Sequence, residues 1–486
     1  MNLKEKTVSG LAWSFAGNFF SHVITFIIGI ILARLLTPTE YGLLGMVTIF
    51  TILIQPFVNS GFSQALIRKN DCTQKDFSTV FYFNFFVGIL FYLILFLAAP
   101  YISFFFKELQ LTKIIRILGL IIIIDSAALI QTTILTKNVN FKLQTKITVV
   151  SNIIAGCLGI FLAYKGYKVW SLVYREMAFH LITTAMLWIK NRWKPDAIFS
   201  FPVLKELFGF GSKLLASAIL DKLYYNIYNL VIAKFFSAKE LGLFTRAKMF
   251  KDLASENVTE IISRVAFPVL SSIQDAPDKL KNKYITIRNC TMFIVLPLMF
   301  GLSAISESLI LTLLGEQWEE SIIYLQLLAF LGIFYPMITF TRDLLFIYGR
   351  SGLFFRLNIF VKTLAVPAII IGIIFGIKFM IVILILAGFL EFLVKAYYSG
   401  KLVGYSVSNQ LKDLIPAFLL ALAIGISLFI IEMLMQTRPV ITLLIQILIG
   451  IAMLIGFSEL FRIKEYFLIK DISFEKINSL VKIHKN

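Results

Sequence analysis

Apolar runs of about twenty residues recur from one end of the chain to the other, separated by short polar stretches. A run of that length spans a bilayer as a helix. The runs fall at roughly 11–33, 41–64, 78–100, 113–136, 146–164, 169–189, 213–236, 241–270, 286–313, 321–346, 356–377, 379–399, 414–435 and 439–460. The pattern predicts an all-α polytopic membrane protein with about fourteen spans. Strands of an outer-membrane barrel would be shorter and alternating, so that class is excluded. Lys4 and Lys6 precede a first run of full length with no small-residue cleavage site after it. The pattern predicts a retained first helix rather than a signal peptide.

One phrase is written twice. Leu32–Leu44 reads LARLLTPTEYGLL, and Ile232–Phe244 reads IAKFFSAKELGLF, aligned without a gap. Each copy joins two spans, first to second and seventh to eighth. Thr37 with Glu40, and Ser237 with Glu240, have the spacing of a capping box. Pro38 suits the first helical position, and Gly42 and Gly242 permit close helix contact. An even number of spans separates the copies, so both lie on one side of the membrane. That predicts a parallel repeat of two six-helix lobes with a substrate site between them, as in alternating-access transporters. The expected organisation is an N-terminal lobe over 1–190, a cytoplasmic linker over 191–212, a second lobe over 213–401, and an accessory helix pair with a basic tail over 402–486.

Composition sharpens this picture. The chain is 58% hydrophobic and 15% charged, with a formal net charge of +18. In a soluble protein that charge would suggest nucleic acid. Here Lys and Arg concentrate in alternate loops, which makes those loops cytoplasmic, puts both termini inside and removes nucleic acid as a partner. Trp170 and Trp318 are expected at the outer interface, Trp188 and Trp193 at the inner one. Cys72, Cys157 and Cys290 have no metal or disulfide spacing. No metal motif, nucleophile–base pair or nucleotide-binding loop is present, so the expectation is a protein that is not an enzyme.

A set of short motifs follows in order along almost the whole chain. They are Trp13; Leu36-Thr37-Pro38-Thr39-Glu40-Tyr41-Gly42; Gly61-Phe62-Ser63-Gln64-Ala65-Leu66-Ile67; and Trp170-Ser171-Leu172-Val173 after Gly166. Then come Phe208-Gly209-Phe210-Gly211, Leu241-Gly242-Leu243-Phe244-Thr245-Arg246-Ala247, Gly315-Glu316-Gln317-Trp318 and Gly349-Arg350. In these the sequence resembles the polysaccharide repeat-unit flippases of the Wzx type, in the multidrug/oligosaccharidyl-lipid/polysaccharide exporter superfamily, nearest the exopolysaccharide, colanic and teichuronic branch. The resemblance implies a bacterial inner-membrane protein whose cargo is an undecaprenyl-pyrophosphate-linked oligosaccharide, with polymerase and chain-length proteins as possible partners. Asn59 and Tyr228 stand where many relatives carry an acidic residue, which weakens any transfer of a carboxylate cation site to those positions. A multidrug or cation-coupled exporter of the same superfamily is the alternative, followed by a polymerase component or a non-transporting scaffold of a glycan assembly complex.

A charge at the bilayer centre costs several kcal/mol unless it meets water or a partner. Lys248, Asp252, Glu256, Glu260 and Arg264 recur every four residues along the eighth span, with Arg246 and Lys251 beside them. Such a stripe winds slowly around the helix. It reads as a cavity wall or as a chain of self-satisfying ion pairs, and the two coexist. For a lipid diphosphate the candidate contacts are Arg246, Lys248, Lys251 and Lys222, with Asn18, Gln55 and Asn59 as polar positions for sugar hydroxyls. A coupling H⁺ or Na⁺ would use Asp252 or Glu256, with His22 as a second proton site; no other cofactor is expected. Asp221 with Lys222 reads as a cavity pair or an internal ion pair. Arg175-Glu176 and Arg342-Asp343 are adjacent, so their side chains are expected on different sides. Asp125, deep among isoleucines, is expected to be protonated or bonded by a neighbouring helix.

Overall fold

The computed structural model describes residues 20–471 apart from 60, 70 and 436, with the side chains of 59, 209–218, 220, 221 and 224 outside the described set. Among the described residues every regular element is helical. The chain divides into two compact units, Met1–Gly242 and Leu243–Asn486.

The N-terminal unit holds α1 (Phe20–Leu35), α2 (Pro38–Asn59), α3 (Phe62–Arg68), α4 (Gln74–Phe106), α5 (Leu111–Leu118), α6 (Leu120–Lys137), α7 (Phe141–Tyr164), α8 (Val169–Asn191) and α9 (Phe201–Phe235). Polar signals set the helix ends. Thr73 and Asp76 form a complete capping box at the start of α4, which satisfies two orphan N–H groups at once. At the other end Lys107 stops the helix in the left-handed region (φ 59°). Missing side chains let helices approach. A β-carbon on Gly156 would stand 2.2 Å from Ile28 Cδ1, and one on Gly159 would stand 2.9 Å from Arg175 Cβ. Close backbone approach of this kind is how membrane helices gain packing contacts.

Most of 201–212 is an N-terminal extension of the seventh helix. α9 begins at Phe201, so only 192–200 is non-helical, and the chain there is stitched to the bundle. Gln131 Nε2 donates to Trp193 O (3.0 Å), Trp193 Nε1 to Gln74 Oε1 (2.7 Å) and the Ser200 N–H to Thr79 Oγ1 (3.1 Å). Trp188 and Trp193 pack on Phe81 with ring centroids 5.8 Å away, so both belong to an internal aromatic cluster.

The two hinge phrases meet. α10 (Ala238–Ala254) begins in the N-terminal unit, beside the start of α2. Glu40 Oε2 accepts from the Thr37 N–H (2.6 Å), and Ser237 Oγ accepts from the Glu240 N–H (3.2 Å), so each hinge shows one arm of the predicted box. A β-carbon on Gly42 would lie 1.6 Å from Ala238 O, and one on Gly242 would lie 1.9 Å from Pro38 O. Matched positions of the two copies face each other reciprocally, as a local twofold requires.

The C-terminal unit continues with α11 (Glu256–Ser271), α12 (Pro277–Ala304), α13 (Ser306–Leu313), α14 (Ser321–Gly332), α15 (Phe334–Ile347), α16 (Ser351–Thr363), α17 (Ala365–Phe375), α18 (Ile377–Val403), α19 (Val407–Lys412), α20 (Ile415–Leu434) and α21 (Pro439–Leu460). Its core joins Met292, Leu296 and Phe300 of α12 to Phe392 of α18 and to Leu420, Ile424 and Leu428 of α20. The helix pair expected as an accessory thus shares this unit's core. Trp318 is fully buried, in a 3-10 turn over Glu316–Trp318 that follows Gly315 (φ 98°).

Ten helices or helix pairs among the described residues are long and apolar enough to cross a membrane. α8, α9 and the α10–α11 pair, the sixth to eighth expected spans, are not in that set. They carry charges that lower their hydropathy, and those of α8, α10 and α11 contribute to the clusters described below.

Candidate functional site

In the C-terminal unit the charged stripe runs down α10 and α11, interrupted at Ser255, whose Oγ donates to Gly332 O (2.6 Å). Lys251 lies at its centre, 5% exposed. Its ammonium pairs with Asp252, and with Glu256 Oε1 at 2.6 Å. Its stem occupies the space that Gly332 leaves free: a β-carbon there would stand 3.1 Å from Lys251 Cγ. Lys248 reaches Asp252 Oδ2 at 4.0 Å. One turn further, Glu260 accepts from Tyr335 Oη (2.7 Å) and faces Arg342 Nη1 at 3.8 Å. Arg342 Nε also pairs with Asp343 Oδ1 at 3.0 Å, while Ser263 Oγ donates to the other oxygen of that carboxylate. Arg342 and Asp343 are therefore partners despite their adjacency, because the long arginine curls back. Arg175 Nη1 and Glu176 Oε1 do the same at 2.6 Å.

The N-terminal unit holds a separate polar cavity of about 170 Å³, lined by α2, α5, α6 and α8. Asp125 of α6 and His180 of α8 meet in it, Oδ1 to Nδ1, at 2.6 Å. Gln55 of α2 donates from Nε2 to Asp125 Oδ2 at 3.4 Å. Thr48, Thr51 and Glu176 complete its polar lining.

Asp252, Glu256, Lys248 and Lys251 come together in one cluster. Arg246 lies two residues before Lys248, half-buried, with Nη1 3.3 Å from Met249 Sδ. Lys222 is exposed on α9, and His22 is exposed on α1. Gln55 belongs to the N-terminal cavity. Asn18 and the side chains of Asn59 and Asp221 lie outside the described residues. His180 was missed from the sequence. The available signal was the four-residue spacing of Glu176 and His180 on the most polar span of that lobe, opposite a carboxylate already conspicuous at Asp125.

Residues 31–323, more than half of the chain, match the family described as "Polysaccharide biosynthesis protein". The chain belongs to this family. Among curated relatives of this family member, the "Teichuronic acid biosynthesis protein TuaB" of Bacillus subtilis (strain 168) is 24% identical over 435 residues, covering 88% of this chain and 89% of its own. The "Lipopolysaccharide biosynthesis protein WzxC" of Escherichia coli (strain K12) is 24% identical over 76% of each chain. Among solved structures, "Lipid II flippase MurJ, inward closed conformation" matches with a TM-score of 0.72 at 18% identity, over 92% of this chain and 98% of that one. An inward-facing multidrug transporter of the MATE family matches with a TM-score of 0.63 at 14% identity, over 79% and 95%. The family member is thus an all-α, multi-pass membrane protein with the MurJ- and MATE-type transporter fold.

Proposed function

We propose that the protein translocates an undecaprenyl-pyrophosphate-linked oligosaccharide from the inner to the outer leaflet of the bacterial plasma membrane by alternating access, and supplies it for surface polysaccharide assembly. One conjunction carries the reading: a polysaccharide-biosynthesis family sequence laid over a solved lipid-linked-substrate flippase fold along 92% of the chain. The chemistry supports it. A pyrophosphate and its sugars cannot cross hydrocarbon unaided, because unpaired polar and charged groups are costly to bury. Arg246 and Lys248 are the candidate contacts for the diphosphate. Lys251 is given over to Asp252 and Glu256, so its role is to keep those carboxylates paired.

The test is deletion of the gene, followed by location of the lipid-linked oligosaccharide with an external glycan-cleaving reagent in spheroplasts. Repeat units held inside until the gene is restored support flipping. Units outside but unpolymerised would overturn it in favour of a polymerase or scaffold role. The MATE-type likeness gives a second reading, drug export; changed drug susceptibility with unchanged surface glycan would select it.

A further inference from the structure

We infer that the N-terminal cavity is the coupling site of the transporter and that its ligand is a proton, held jointly by Asp125 and His180. The inference deepens the transport reading and rests on it. The cavity is a built site. Asp125 and His180 come from different helices and meet at 2.6 Å, and Gln55, from a third helix, orients the second carboxylate oxygen. The space beside them has room for several waters.

Charge balance supplies the mechanism. The charged groups lining the cavity are Asp125 on α6 and Glu176 and His180 on α8. Glu176 is offset by Arg175 at 2.6 Å. α2 has no charged residue beyond Glu40, α4 none between Asp76 and Lys107, and α7 none beyond Lys146; α5 carries Lys113 and Arg116, whose guanidinium stacks over Phe96 at 4.3 Å. With one proton shared by Asp125 and His180 the lining is neutral, whether the proton lies on imidazole or carboxyl. Without it the lining carries one uncompensated negative charge. An unpaired charge in a closed, membrane-embedded cavity is strongly disfavoured. A conformation that seals the cavity is therefore favoured when the proton is bound, and one that opens it to water is favoured when the proton has left. A proton taken up on one side and released on the other would then give the cycle a direction.

Two measurements on the purified full-length protein test this. The first needs no cargo. The protein is labelled with ¹⁵N-histidine, and His180 is assigned by the signal lost in His180→Gln. If the pair shares a proton, Asp125→Asn moves the His180 titration midpoint by about one pH unit or more, a tenfold change in proton affinity, and leaves the signals of His22 and His484 in place. An unmoved midpoint overturns the inference. The second uses proteoliposomes carrying a fluorescent undecaprenyl-pyrophosphate-linked N-acetylglucosamine disaccharide. The wild type should accumulate the probe in one leaflet under a pH gradient but not under a sodium gradient. Asp125→Asn and His180→Gln should equilibrate it between leaflets without accumulation. Sodium-driven accumulation, or wild-type pH-driven accumulation by both variants, overturns the inference while leaving transport intact. Failure of the wild type to move the probe at all counts against the transport reading, and the titration then still decides the proton site. Wild-type melting temperatures for both variants exclude a merely structural effect.

Discussion

Gly42→Ala is a one-carbon change with an unusually well-defined consequence. The new β-carbon would stand 1.6 Å from Ala238 O and 2.4 Å from Ala238 C. Even the closest Cα–H···O contacts keep carbon and oxygen at about 3.3 Å, so the hinges must separate by well over an ångström. The obstructing atom is backbone at the first turn of α10, a turn fixed by the Ser237 cap, so no rotamer change relieves the clash. Overpacking costs about 1–3 kcal/mol where side chains can yield; a backbone obstruction puts Gly42→Ala near the top of that range. Gly242→Ala, with its β-carbon 1.9 Å from Pro38 O, should cost a similar amount.

Because the two glycines lie on opposite sides of one crossing, parting the hinges once relieves both clashes. The double variant should therefore cost little more than either single one, a coupling of about 2 kcal/mol in its favour, whereas independent sites would add. Two controls calibrate the series. Gly45→Ala meets only the end of the Leu241 side chain, at 3.1 Å, and Gly352→Ala meets nothing within 4 Å; the first should be mild and the second neutral or slightly stabilising, since alanine favours helix. The assay is the temperature of half-loss of monodisperse protein in detergent, read by fluorescence-detected gel filtration. Gly42→Ala behaving like Gly352→Ala, or a strictly additive double variant, would refute the reciprocal crossing.

Lys251→Met should destabilise the protein by about 1–3 kcal/mol, because it removes the buried cation that half-buried Asp252 and Glu256 share; adding Glu256→Gln should recover part of the loss in the same melting assay. Trp318→Ala should cost about 3–5 kcal/mol as a large buried deletion, whereas Trp170→Ala, only half-buried, should cost clearly less. Arg246→Ala with Lys248→Ala should abolish polymer export at unchanged protein level, and normal polymer output would remove both from the cargo path. Lys69 bridges Asp76 at 3.2 Å and Glu206 at 3.4 Å. Burial pulls its ammonium down, but the two carboxylates outweigh that and hold it above the usual lysine range. A raised cation contributes fully below its unfolded value of 10.5 and loses the contribution as pH rises through the folded value. Lys69→Ala should therefore lower melting equally at pH 6 and pH 9, with the difference shrinking only above about pH 10.5.

Element placement was legible because membrane spans are written in length and hydropathy, which are local. The hinges were legible for a related reason: capping boxes act over three residues, and repetition is visible without coordinates. That Gly42 would face Ala238 was not, since it requires two hinges far apart in sequence to meet. Charged pairs were misjudged where flexibility overrides direction. Adjacent residues leave a helix at different angles, yet Arg175 and Arg342 are long enough to curl onto Glu176 and Asp343. His22 stood out by its mid-span position and lies exposed, while His180, on a more polar and less conspicuous helix, meets Asp125. What makes a histidine chemically useful here is its partner, and the partner is supplied by another helix.

The two units keep charge in hydrocarbon by different means, and the difference bears on which does what. In the α10–α11 cluster Lys251 is a fixed cation between two carboxylates, with Lys248 4.0 Å from Asp252. Among the described residues lining the N-terminal cavity there is no lysine or arginine, and the neighbouring Arg175 is committed to Glu176. By the inference above, the cavity's neutrality depends on the proton shared by Asp125 and His180. If Asp252 or Glu256 carried the coupling proton instead, Glu256→Gln should abolish pH-driven accumulation and His180→Gln should spare it. The charge balance requires the reverse: accumulation lost in His180→Gln and retained in Glu256→Gln, where Lys251 keeps Asp252 as its partner.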